Sequence, residues 1–168
     1  AQVSDHVRKD PVRLNLCLRA FPKGADLHNH LVGAIYAESM LDWAARDGLC
    51  VSLKEKRILD HACTHPGEGE IPAADVARHA DTENALIDAL SMRDFVPAPG
   101  DASGHDHFFA TFARFGAIDD AHSGDMLAEA RDRAARDHVT YLELMISPGI
   151  GGVLGAGFHH PLKDDDFA

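Results

Sequence analysis

The sequence predicts an α/β fold with parallel strands, and three observations predict it. A short apolar segment, Ala25 to His28, follows the breakers Pro22 and Gly24 and reads as a buried strand. A helical pattern opens shortly after Gly33. The clearest strand, Val139 to Met145 in VTYLELM, returns only after several further helices, and its β-branched and aromatic content suits a pleated sheet. A strand that leads through helices to another strand returns parallel and right-handed. The crossover here is unusually long.

The elements follow in order. Ala1 to Pro22 are charged and mixed, and VRLNLCLRAF carries Leu14, Leu16 and Leu18 in alternation, the pattern of a half-buried strand or an extended arm. After Gly33, YAESMLDWAARDGL places Met40, Leu41, Ala44 and Ala45 on one side at helical spacing and stops at Gly48. From Cys50 to about Thr82 no period is sustained among Lys, Glu, His, Gly and Pro, so this stretch reads as a surface excursion. A helix from about Thr82 to Arg93 presents Leu86, Ile87 and Leu90, and VPAPGDASG breaks it. HDHFFATFARFGA then sets Phe108, Phe109, Phe112 and Phe115 on one aromatic helical face. A long helix from Ser123 to Asp137 turns Met126, Leu127, Ala130 and Ala134 inward and Glu129, Arg131, Arg133 and Arg136 outward. The remainder, glycine-rich and then acidic, reads as an unfinished loop, and no internal repeat is found.

Composition narrows the partners. A chain of 168 residues with 45% hydrophobic and 26% charged residues can bury one core. The expected layout is a single domain with residues 1–22 as an N-terminal arm. Sixteen basic against 27 acidic residues leave a net charge of −11, which argues against nucleic acid or an anionic membrane as partner. No apolar run approaches the roughly 18 residues of a membrane span. The chain opens on Ala1-Gln2 rather than methionine, a pair that suits cleavage after a signal peptide; this gives a periplasmic or secreted location as the expectation, with a cytoplasmic one as the alternative. Cys50 and Cys63 are close enough to close a small loop in an oxidising compartment; the alternative is that they and Cys17 are free thiols.

The chemistry concentrates in KGADLHNHLVGA. Residues i and i+2 of a strand share a face, so His28 and His30 aim two imidazoles into one space. Neutral imidazole suits zinc, iron, copper or nickel, and a catalytic zinc takes three or more protein ligands. The pair is therefore half a site. Water on such a metal ionises near neutral pH, which makes hydrolysis the expected reaction class.

PKGADLHNHLVGA resembles the opening motif of the adenosine deaminase family, in which a proline-lysine start leads into a strand ending His-x-His-Leu-x-Gly-Ala. YLELMISP resembles the family's second barrel strand, and FFATFARF resembles the aromatic segment over its substrate pocket. The resemblance runs from about Phe21 to Pro148 and is nearest to the secreted or periplasmic bacterial branch and the growth-factor-like deaminases. It implies the N-terminal part of a (β/α)₈ TIM-type barrel, helix-rich in this segment, with the site at the C-terminal strand ends. Residues 23–168 would then hold the first barrel strands, inserted helices and a lid segment of an incomplete domain. The implied cofactor is one catalytic zinc on His28 and His30. The implied reaction is hydrolysis of adenosine or 2′-deoxyadenosine to the inosine nucleoside and ammonia. His30, Gly33, Phe108, Phe109 and Phe112 would face the purine nucleoside, with Gly33 letting the loop pass close. Val32 departs from the acidic residue that many members place there against the ribose hydroxyl.

The resemblance also implies later strands carrying a third zinc histidine, a His-Ala-Gly-Glu with the proton-shuttling glutamate, a further histidine and an Asp-Asp pair. These 168 residues contain about two barrel strands, so in isolation they are expected to be inactive. Internal mimics have blander readings. His65 to Glu68, HPGE, reads as a surface loop, Asp119-Asp120 as the start of the long helix, His105 and His107 as helix cap or pocket rim, and His159-His160 with Asp164 to Asp166 as a solvated tail. Glu143 lies either inside the barrel or against a neighbour. Two further readings are a catalytically inactive extracellular module of growth-factor type and another metal-dependent amidohydrolase on the same barrel.

Overall fold

The computed structural model describes residues 5–97, 103–119 and 121–146. In chain order the elements are α1 (Asp5–Arg8), α2 (Pro11–Arg19), β1 (Gly24–His30), a 3₁₀ turn (Leu31–Ala34), α3 (Ala37–Arg46), β2 (Leu49–Ser52), β3 (Arg57–Ala62), β4 (Glu70–Pro72), α4 (Ala73–Val76), α5 (Ala80–Leu90), α6 (Gly104–Asp119), α7 (Ser123–Arg136) and β5 (Val139–Met145). They fall into two units. One is formed by the residues up to Ala34 with Gly124–Ile146, the other by Ile35–Ser123.

In the first unit, β1 and β5 pair in parallel, from Gly24 opposite Val139 to His30 opposite Met145. Both predicted strands are present, and the pairing is the expected one. The region before β1 differs from expectation. Leu14, Leu16 and Leu18 belong to helix α2, not to a strand or extended arm. Asp10 decides this: its carboxylate accepts from the amides of Val12 at 3.0 Å and Arg13 at 3.2 Å, and Pro11 occupies the first turn. A cap with proline behind it fixes the helical start, and a three-leucine alternation does not outweigh it. At the other end of α2, Lys23 Nζ donates to the carbonyls of Leu18 at 2.7 Å and Phe21 at 2.9 Å.

Helix α7 buries Met126 and Ala130 as its period requires, whereas Leu127, expected inward, stays exposed. Glu129 and Arg133, expected outward, are largely covered instead. Arg133 reaches across to donate to the Ala34 carbonyl and also meets Glu129 at 3.2 Å. A long stem with a charged fork can satisfy a loop carbonyl that an apolar side chain would leave bare.

The second unit contains most of the core. Helix α3 buries Ala37, Met40, Leu41, Trp43 and Ala44 and is closed by Gly48 at φ +69°, a left-handed position that glycine takes without a Cβ penalty. The stretch after Cys50, expected to be an irregular excursion, is a three-stranded antiparallel sheet in the order β3-β2-β4. Val51, Ile58 and Leu59 are buried on it. Its strands are only 4, 6 and 3 residues long, too short to display a period, and its first turn places Lys56 rather than glycine at positive φ. The sheet is also crosslinked. Cys50 and Cys63 form a disulfide with Cα atoms 4.7 Å apart, and Cys17 is free.

Helix α5 buries Leu86, Ile87, Ala89 and Leu90, matching its predicted face, but ends at Leu90. Beyond it Arg93 folds back to Asp88 at 2.7 Å and to Asn84. Helix α6 begins where predicted, and Ser103 caps it through the amide of Asp106 at 3.1 Å. Asp119 closes α6 instead of opening α7; Asp120 lies outside the described residues, as do His159-His160 and Asp164 to Asp166. The described residues are thus mixed α/β, with a two-stranded parallel sheet and a three-stranded antiparallel one. No helix among them is long and apolar enough to cross a membrane.

Candidate metal half-site on β1

His28 and His30 occupy the C-terminal end of β1, and both are exposed. A local irregularity aims them. The β1–β5 register shifts between Asp26 and Asn29, so these two residues, three apart, are the half-covered positions of the strand. Asp26 holds the kink: one carboxylate oxygen accepts from the His28 amide at 3.3 Å and the other from the Asn29 side chain at 2.8 Å. Bulges of this kind commonly re-aim side chains beside active sites. The result is that His28 and His30 share the open face, their ring centroids 5.2 Å apart with planes at 70°.

That spacing fits a metal. Two imidazoles ligating one tetrahedral ion at about 2.0–2.1 Å have centroids roughly 5 Å apart. The donor types and the exposure fit as well, because both histidines are exposed on the strand. A third ligand does not come from nearby: among the described residues, the one set of three or more ligand-type side chains converging within 4.8 Å is Cys50, His61 and Glu70, in the other unit. The histidines of β1 form a pair, which is what KGADLHNHLVGA predicts.

The neighbouring strand adds two polar groups, Tyr141 and Glu143, of which Glu143 is the one that alternation left undecided. Tyr141 and Glu143 are both exposed on β5, and the Tyr141 hydroxyl donates to Glu143 at 3.0 Å. This hydrogen bond holds the Tyr141 phenol above its usual range. Glu143 therefore stands on the open side of the parallel pair. On the covered side, a cavity of about 140 Å³ is walled by Asp26, Asn29, Arg133 and Asp137; it is separated from the histidines by the sheet itself. The unanticipated positioning residue is Asp26, and its signal was an aspartate two residues before the first histidine, the spacing of a side-chain-to-backbone turn.

The remaining predicted residues sit as follows. Gly33 lies exposed in the 3₁₀ turn, and positive φ falls at Gly24, Gly48 and Gly69. Phe108, Phe109, Phe112 and Phe115 form a chain of ring contacts along α6, with centroids 5.2–6.2 Å apart. Phe115 is buried while Phe108 and Phe109 are exposed, so the aromatic face has an open end. The histidine pair belongs to the first unit and the phenylalanine face to the second. His107 is a structural residue: its Nε2 meets the Ser91 carbonyl at 2.9 Å and its ring stacks on Phe95. His105 pairs with Asp106 and packs on Phe109. His65 and Glu68 are exposed in a turn, as expected. No family model, curated protein or solved structure matches the chain.

Proposed function

We propose that these residues belong to a zinc-dependent aminohydrolase of adenosine deaminase type, the N-terminal part of a (β/α)₈ barrel that deaminates adenosine or 2′-deoxyadenosine. The observation that carries this reading is the His28–His30 pair, set by a bulge at the C-terminal end of a parallel strand, with ring centroids 5.2 Å apart. Catalytic groups of such barrels lie at that end of the strands.

The open face supports the same reading. Parallel strands are normally covered on both sides, yet Leu27 and Tyr141 on this pair are 63% and 55% exposed. Further barrel strands would cover them and bring the missing ligands and the proton-transferring glutamate toward His28 and His30. When bound, zinc supplies a water ionised near neutral pH. The residues of this chain hold and orient: His28 and His30 ligate, and Asp26 fixes their backbone. Phe108, Phe109 and Phe112 give an apolar surface of the kind a purine stacks against. Val32 offers no hydrogen bond to a ribose, which favours a substrate set that is tolerant at the sugar. The disulfide supports a periplasmic or secreted location.

The test is ammonia release from adenosine and 2′-deoxyadenosine by the full-length chain. Turnover that disappears in His28→Ala and His30→Ala is the expected result. Zinc retained without turnover of any purine nucleoside would instead indicate a binding homologue, and turnover that survives both substitutions would overturn the reading.

A further inference from the structure

We propose that the antiparallel sheet of the second unit carries a second, redox-gated metal site: when the Cys50–Cys63 disulfide is reduced, both thiolates join His61 and Glu70 to bind one zinc ion. The site stands on geometry independent of the β1 histidines. Ligand atoms of Cys50, His61 and Glu70 already lie within 4.8 Å of one another, and the sulfur of Cys63 is bonded to that of Cys50. The three elements are held in place by the ladder. Cys50 on β2 pairs with Pro72, and Ser52 with Glu70, so Cys50 and Glu70 share a face. His61 reaches the same place from β3, its Nε2 3.3 Å from Glu70 Oε2. The Cys63 amide donates to the Gly48 carbonyl at 2.8 Å, which anchors the fourth ligand beside β2.

The donor set is a zinc set. Two thiolates, one imidazole and one carboxylate fill four tetrahedral positions, the closed arrangement of a structural site. With Zn–S near 2.3 Å and Zn–N or Zn–O near 2.0–2.2 Å, tetrahedral ligands stand about 3.3–3.8 Å apart. His61 and Glu70 are at that separation now. The two sulfurs must part by about 1.7 Å on reduction and metal binding, a movement that side-chain rotation supplies. Glu70 is held in place as well, because its carboxylate accepts a hydrogen bond from the Gly67 amide at 2.8 Å.

The chemistry balances with a dithiol as reductant. Its thiolate attacks the half-buried Cys63 sulfur rather than that of fully buried Cys50, the S–S bond breaks, and the dithiol closes to its own disulfide. Two electrons and two protons pass to Cys50 and Cys63. Zinc then displaces both thiol protons. In an oxidising compartment the crosslink is covalent, and in a reducing one the same four residues crosslink the sheet through metal.

The experiment uses the full chain with Cys17→Ser, reduced anaerobically by a water-soluble phosphine, which becomes its oxide while water supplies the oxygen and the thiol protons. Cobalt(II) is the probe. The reduced protein is expected to show thiolate-to-cobalt charge transfer that saturates at one equivalent beyond any cobalt the oxidised protein takes up, while the oxidised protein shows no such band. His61→Ala and Glu70→Gln should each weaken cobalt and zinc binding to the reduced form by more than the roughly 10–100-fold typical of outer-sphere changes. His28→Ala should leave the charge-transfer band unchanged, which separates this site from the one on β1. Reduced protein without the band, or a band that survives Cys50→Ser with Cys63→Ser, would overturn the proposal. So would His61 and Glu70 variants with unchanged affinity.

Discussion

The two units differ in where their polar chemistry stands relative to a core. In the second unit, Met40, Leu86, Ile118, Val51 and Cys50 are among the most fully buried side chains of the chain, and a disulfide ties its sheet. In the first, β1 and β5 have one covered and one open face, α2 buries nothing, and Leu27 and Tyr141 remain accessible. The candidate metal pair sits in the less self-sufficient unit. This is the arrangement expected when a strand's structural requirement is shared with elements beyond its own unit, whereas the sheet of the second unit closes locally on short hairpins.

The largest effects should come from the core of the second unit. Leu86→Ala removes most of a side chain that is 1% exposed and should cost about 2–5 kcal/mol, read as a lower midpoint in urea denaturation. Removing the crosslink comes next: Cys50→Ala with Cys63→Ala opens a loop of sequence separation 13 and should cost about 2–4 kcal/mol in oxidised protein. The same pair of changes made in reduced, metal-free protein should cost far less, which sharpens what the crosslink contributes. In the first unit, Asp10→Ala should lose about 1 kcal/mol, with the change in hydrogen exchange confined to α2. Leu27→Ala, on the open face, should stay within about 0.5 kcal/mol when residues 1–168 are measured by themselves. An equal loss at Leu27 and Leu86 would break the contrast between the units.

The smallest effect is one of pH. The Gly67 amide and His61 hold the Glu70 carboxyl below 4.5. A depressed carboxyl stabilises the fold above its unfolded pKa and loses that contribution as pH falls through the folded value. The turn before β4 should therefore loosen only below pH 4.5, seen as amide exchange at Gly67, and Glu70→Gln should remove that acid limb.

Both parallel strands, helices α3, α5, α6 and α7 and the histidine pair were legible because each depends on local pattern: Leu86, Ile87 and Leu90 recur at helical spacing, and His28 and His30 lie two apart on a strand. What escaped depended on contacts distant in sequence or on single capping atoms. Three strands of 3–6 residues show no period, and their order is set by pairing between residues as far apart as Cys50 and Pro72. Leu14, Leu16 and Leu18 alternate like a strand, yet the Asp10 carboxylate and Pro11 start a helix. Arg133 looked outward because charge usually is, and its partner, the Ala34 carbonyl, lies 99 residues away. In the candidate site, the bulge held by Asp26 escaped for the same reason, since it exists only against β5.

Zinc content tests the central claim most directly. Elemental emission on the full-length chain, with the Cys50–Cys63 disulfide verified intact by thiol titration, should find one zinc per chain. His28→Ala and His30→Ala should each lose it while retaining the wild-type circular dichroism spectrum. Oxidised wild-type protein that holds no zinc, or variants that keep theirs, would contradict the assignment of this pair as half of a catalytic metal site.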